Sequence, residues 1–130
     1  MENHKRYETG ADVMDQLFSQ ETQTYMQHIK EISPDFWDMI VSFGFGDLYG
    51  RTNLTLHQRE YITLTALITQ GAFDQLRVHI IASLKIGMTQ QEIIEIIIQC
   101  VGYIGFPKAV HAMGIAGEIF KSLDAESTKA

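Results

Sequence analysis

Two ionisable side chains stand on otherwise apolar helical faces in the middle of this chain. Glu60 lies in the stretch 56–69 and His79 in the stretch 72–86. An unpaired polar group carried into a core costs roughly 2 kcal/mol or more, so each of the two needs a partner. Gly71 interrupts the helical pattern between them. Glu60 precedes that break by about three helical turns and His79 follows it by about two, so a hairpin folded at Gly71 brings both to nearly the same level. A carboxylate held against an imidazole can relay a proton to a reacting group. The same contact also serves as a purely structural ion pair, and the residues by themselves leave both readings open.

The elements that must position this pair are helices. No alternating strand pattern of useful length occurs, and both prolines sit where helices begin. The expected fold is all-α, a single-domain bundle of about six or seven helices with the central hairpin inside it. Val13, Leu17, Phe18, Tyr25, Met26 and Ile29 give residues 9–31 the spacing of one or two amphipathic helices. Ser33 followed by Pro34 reads as an N-cap with proline at the first helical position, opening a helix that turns Phe36, Trp37, Ile40 and Val41 inward. The glycines of 43–50 each cost about 1 kcal/mol relative to alanine inside a helix and predict a loop. Thr55 caps the helix that carries Glu60, and Gly87 stops the one that carries His79. Thr89 with Glu92 forms a capping box for a third helix ending near Tyr103, and Pro107 opens a last one to about Leu123. The expected organisation is an amphipathic segment over 1–32, a core over 33–123 and a flexible tail over 124–130.

Composition narrows the function classes. The 130 residues fit one domain, and 45% hydrophobic with 20% charged residues is the balance of a folding chain. A formal charge of −6, with ten scattered Lys and Arg, argues against nucleic acid and against an anionic membrane surface. The most apolar stretch, 93–106, is interrupted by Glu95 and Gln99 and is too short to span a bilayer, so it reads as a buried helix. One cysteine forms no internal disulfide, and the first residues lack the apolar core of a signal peptide, which together point to the cytoplasm. No metal site is expected. His57 and Glu60 share a helix face, but no Glu is followed three residues later by His and no His-Glu-x-x-His occurs. His4, His28 and His111 read as surface or interface residues.

The run Gly71-Ala72-Phe73-Asp74-Gln75-Leu76-Arg77-Val78-His79, then 87–92, then Tyr103-Ile104-Gly105-Phe106-Pro107, forms an ordered set. It resembles the carboxymuconolactone decarboxylase family over about residues 33 to 120. The resemblance implies an alkylhydroperoxidase D-like helical fold and subunits arranged as trimers or hexamers, with pockets near subunit boundaries. The peroxidase branch of that superfamily carries Cys-x-x-Cys followed four residues later by His, with a Glu upstream. Glu60 and His79 match the Glu and the His. The two cysteines fall on Ala72 and Gln75, so the dithiol chemistry has no sulfur here. The lone Cys100 reads as a packed, inert thiol.

The decarboxylase branch is matched further by Phe45-Gly46-Asp47-Leu48-Tyr49-Gly50-Arg51 and by Arg59. Its named reaction removes CO₂ from a carboxylated unsaturated lactone and uses no metal or organic cofactor. Electrons left behind by CO₂ spread onto the lactone carbonyl, so the protein must hold a dienolate oxyanion and then protonate carbon. His79 is the candidate acid or oxyanion donor, with Glu60 orienting it. Arg51 or Arg77 would hold a substrate carboxylate, and Tyr103 would add a hydroxyl donor. Phe45, Tyr49, Leu76 and Tyr103 are expected to line the pocket, with Arg51 at its mouth. Where pathway enzymes of the family have Arg-Pro-Gly-Leu, this chain reads Arg51-Thr52-Asn53-Leu54, which leaves the substrate open.

Two other classes remain in view. One is an alkylhydroperoxidase-like, peroxiredoxin-type antioxidant relative that has lost its thiols. The other is a non-catalytic oligomeric module that binds a small ligand. Assembly is expected in every case, because the helix over 90–103 is apolar around most of its circumference and Gly114 with Gly117 leaves a small-residue face on the last helix.

Overall fold

The computed structural model describes residues 3–128, all of whose regular structure is helical. In chain order the elements are α1 (Asn3–Leu17), α2 (Gln20–Ile32), α3 (Pro34–Met39), a π-helical segment (Ile40–Leu48), α4 (Leu56–Gln70), α5 (Phe73–Lys85), α6 (Gln90–Ile104) and α7 (Phe106–Thr128). The chain divides into two compact units, Met1–Arg59 and Glu60–Ala130, and the division falls inside α4.

Side chains close the helix ends as the sequence predicts. Ser33 Oγ accepts the Phe36 N–H at 3.1 Å. Thr55 Oγ1 accepts the Gln58 N–H at 3.1 Å while Gln58 Oε1 accepts the Thr55 N–H at 2.9 Å, a reciprocal box that starts α4. Thr89 and Glu92 form the same box at the start of α6. Gly71 and Gly87 take the positive φ values of 73° and 102° that end α4 and α5, a region that glycine enters without steric cost.

In the first unit, α1 packs along the π-helical segment at very short range. A methyl group at Gly10 would lie 1.9 Å from the Val41 carbonyl oxygen, and one at Gly46 would lie 2.4 Å from the Arg6 carbonyl oxygen. Arg6 then clamps Asp47 in a fork, Nε to Oδ1 at 2.9 Å and Nη2 to Oδ2 at 2.7 Å. The guanidinium holds the Asp47 carboxyl below its ordinary range, first through the hydrogen bond and also through charge. Trp37 and Val41 are buried, and Trp37 Nε1 donates to the Tyr7 hydroxyl at 3.1 Å.

Three expectations are corrected here. The glycine-rich stretch 43–50 is not a loop, since most of it continues α3 as a π-helix. Gly46 lets the segment's backbone touch that of α1, a contact that offsets its cost within the helix. Phe36 is 54% exposed rather than turned inward. The last helix does not stop near Leu123, because residues 124–128 continue it, and Gln90 Nε2 ties Asp124 Oδ1 to the start of α6 at 3.2 Å. The final two positions of the expected tail lie outside the described residues.

The second unit has a continuous core of Leu64 and Ile68 from α4, Leu76 and Ile80 from α5, Ile93, Ile97 and Cys100 from α6, and Ala112, Ala116 and Ile119 from α7. Among the described residues, no helix is long and apolar enough to cross a membrane.

Candidate functional site

The inward stripe of α4 runs Glu60, Leu64, Ile68 and that of α5 runs Leu76, His79, Ile80, Ser83, each at the three- and four-residue spacing of one helical face. A carboxylate, an imidazole and a hydroxyl therefore enter an apolar wall at one end of the core. They meet there. His79 Nδ1 lies 3.0 Å from Glu60 Oε2 and 3.3 Å from Oε1, and Ser83 Oγ donates to the same Oε2 at 3.2 Å. Glu60 and Ser83 are fully buried, whereas His79 keeps 8% of its surface. The contact that the sequence predicts between Glu60 and His79 is present, with its acidic end sealed and its imidazole end at the edge of the surface.

The other predicted site residues have their own surroundings. Leu76 is fully buried in the core of the second unit. Arg77 is half exposed and donates from Nη2 to Glu118 Oε2 at 2.8 Å across α5 and α7. Tyr103 is 83% exposed, on a cavity of about 610 Å³ between α4 and α6 whose lining includes Tyr61, Thr65, Glu92, Ile96 and Cys100. That lining carries the carboxylates of Glu92 and Glu95 and no basic side chain, a setting that repels an organic acid. Tyr61 donates to Glu92, and this hydrogen bond, aided by burial, raises the phenol above its ordinary value. Burial likewise pushes the Cys100 thiol up.

In the first unit, Phe45 is buried, stacked on Tyr49 with ring centroids 5.2 Å apart and set edge-on to Phe18. Arg51 is exposed beside a cavity of about 390 Å³ that Thr9, Asp47 and Asn53 also line. Arg59 donates from Nη2 to the Arg51 carbonyl at 3.0 Å. Ser83 was not among the expected site residues. The signal was present, because a hydroxyl four residues after His79 interrupts an otherwise aliphatic stripe.

Comparison with known proteins bears on this geometry. The model of the carboxymuconolactone decarboxylase family matches residues 34–118. The chain belongs to that family. It is 31% identical to a 4-carboxymuconolactone decarboxylase of Acinetobacter baylyi, over 95% of this chain and 92% of that protein. It is 27% identical to nitrosuccinic acid decarboxylase of Metarhizium robertsii, over 86% and 80%. An uncharacterized 15.0 kDa protein of Paracoccus denitrificans is also 27% identical, over 89% and 99%. Membership and these relatives make the chain a decarboxylase-like enzyme, and the matched span contains both members of the buried pair.

Proposed function

We propose that this chain is a cofactor-independent decarboxylase of a small carboxylated lactone or related unsaturated acid, with His79 carrying the proton and Glu60 orienting and charge-balancing it. The observation that supports this most directly is the contact itself: His79 Nδ1 lies 3.0 Å from a fully buried Glu60 carboxylate, and the imidazole is the less buried of the two. A proton carrier needs a fixed partner behind it and is better served by being the less buried member of the pair, which His79 is. With Nδ1–H donated to the carboxylate, Nε2 becomes the nitrogen that exchanges a proton with substrate. This is the role a buried carboxylate plays behind any imidazole that must hold one tautomer.

The chemistry then runs in two steps. The substrate C–CO₂⁻ bond breaks, CO₂ leaves, and its electron pair passes through the unsaturated system to an oxygen. Protonated His79 then gives its Nε2 proton to carbon, and water restores it. 4-Carboxymuconolactone and nitrosuccinic acid, the molecules in the relatives' names, share the property this requires. Loss of CO₂ leaves a dienolate in the first and a nitronate in the second, both oxygen-centred anions. The substrate is its own electron sink, which is why the reaction calls for no cofactor. Arg77 is less suited than Arg51 to take the substrate carboxylate on its pairing alone, because Arg77 is already committed to Glu118. The test is a panel of lactone and nitro acids assayed for CO₂ release; absence of release from every member would sink the proposal.

The antioxidant alternative yields a negative expectation. Ala72 is the N-cap of α5 and Gln75 lies in its first turn, so no thiol stands at the helix start, where thiolates are stabilised. Cys100 is buried and its thiol is pushed up by that burial, which disfavours the reactive thiolate. Peroxide turnover with a dithiol reductant should stay at background, and a robust rate abolished by Cys100→Ser would reverse this reading.

Assembly is part of the same proposal. Ile98, Tyr103, Phe106 and Val110 are half or more exposed, and an alanine methyl at Gly114 or Gly117 would meet nothing within 4 Å. This unpartnered apolar and small-residue surface suits a homotrimer or hexamer in solution. Light scattering at micromolar concentration should give a mass of three or six chains; a single-chain mass would refute it.

A further inference from the structure

Ser83 is fully buried in the interior of α5, between Ala82 and Leu84 in sequence. A serine there gives up hydration and competes with the helix backbone, so its hydroxyl needs acceptors. It has two. Oγ lies 2.7 Å from the carbonyl oxygen of His79, one helical turn back, and 3.2 Å from Oε2 of Glu60 on α4. One side chain thus touches the carboxylate of one member of the pair and the backbone of the other. Oε2 is also the oxygen closer to His79 Nδ1, so two donors converge on it and fix the rotation of the carboxylate about its last bond.

We infer that Ser83 is a positioning residue: its hydroxyl locks the Glu60 carboxylate in the orientation that receives the His79 Nδ1–H, and so holds the imidazole in the tautomer that presents Nε2. The inference rests on the reading of Glu60 and His79 as a proton-transfer pair. A single hydroxyl hydrogen shared between two acceptors gives each a weaker bond than it would give one. The bond to Glu60 gains from the carboxylate's charge, and the one to His79 gains from its short length. Without the hydroxyl, Oε2 loses one of the two donors that converge on it, and the restraint on the nitrogen that faces it is weakened.

The experiment uses the full chain with ¹⁵N-labelled imidazoles, 4-carboxymuconolactone as the probe substrate, and the variants Ser83→Ala, Ser83→Thr and Ser83→Cys. The His79 Nδ1–H signal, its tautomer-sensitive ¹⁵N shifts, kcat, KM and the thermal midpoint are all read. Ser83→Ala is expected to lower kcat about tenfold, the order of one hydrogen bond to a charged group, with KM nearly unchanged. It should also displace or broaden the Nδ1–H signal. Ser83→Thr, which keeps the donor, should restore both. If threonine's methyl prevents folding, the near-isosteric Ser83→Cys, a feeble donor, must reproduce the alanine spectrum. An alanine or cysteine variant with a wild-type Nδ1–H signal, whatever its thermal midpoint, overturns the inference, since Ser83 would then merely close its own helical turn. If the wild-type protein releases no CO₂ from this probe or from any other member of the lactone and nitro acid panel, the decarboxylase reading is what fails, and the imidazole spectrum still decides the role of Ser83.

Discussion

Replacing His79 by alanine should lower decarboxylation by roughly two orders of magnitude, the usual contribution of a positioned general acid. A hundredfold loss corresponds to about 2.7 kcal/mol of transition-state stabilisation. The same substitution also removes a donor from the fully buried Glu60 carboxylate, which Ser83 also approaches. Stripping one partner from a buried ion pair costs about 3 to 5 kcal/mol, so the alanine variant conflates lost chemistry with lost stability. His79→Asn separates them. Its amide nitrogen can stand near the position of Nδ1 and donate to Glu60, yet it has no titrating nitrogen to pass a proton to substrate. The asparagine variant should therefore melt within a few degrees of wild type while remaining as inactive as the alanine variant. If it kept most of its turnover, with melting unchanged, His79 would be a structural partner and the proton would have to come from elsewhere. Glu60→Gln complements the pair. It retains shape and one acceptor but cannot balance an imidazolium, so kcat should fall with little change in KM, and pH-rate profiles of the two variants report which charge the reaction uses.

The pair was legible in the sequence because two independent local signals agree on it. Thr55 and Gly71 fix where α4 starts and ends, Gly87 fixes where α5 ends, and apolar periodicity then leaves Glu60 and His79 no place but the inward stripes. The capping residues Ser33 and Thr89 were legible for the same reason, since the backbone N–H groups that donate to them lie three residues away. What the sequence concealed is non-local. Neither the cost of glycine in a helix nor the count of glycines in 43–50 reveals that Gly46 lies against the Arg6 carbonyl, because that contact joins residues far apart in the chain. The Arg6 and Asp47 fork has the same character: Asp47 belongs to a stretch read for its resemblance to a family segment, yet its carboxylate is held by α1. The continuation of α7 to Thr128 depends in part on Gln90 at the head of another helix. The hydroxyl of Ser83 was visible as a residue type, but its second acceptor was not, since a serine within a helix ordinarily satisfies itself on its own backbone.

Substituting Gly10 by alanine should be among the most destabilising single-methyl changes available to this chain, at about 3 kcal/mol, the upper range for overpacking. The alanine methyl would stand 1.9 Å from the carbonyl oxygen of Val41, 2.8 Å from its carbon and 3.0 Å from the backbone nitrogen of Gly46. All three are backbone atoms of the π-helical segment, and a backbone cannot swing aside as a flexible side chain does. The segment would have to move bodily, and movement would loosen the Arg6 and Asp47 fork that lies along the same contact. Intrinsic helix propensity works in the opposite direction, since alanine inside α1 gains about 1 kcal/mol over glycine. The steric penalty outweighs that gain. Gly114→Ala supplies the control: it is also helical, but its methyl meets nothing within 4 Å, so the isolated fold should gain up to about 1 kcal/mol from propensity alone. Chemical denaturation of both variants, followed at the single tryptophan Trp37, should move the midpoints in opposite directions. A Gly10→Ala protein as stable as wild type would mean that α1 and the π-helical segment do not touch at this point. The π-helix would then lose the tertiary contact that offsets its glycines.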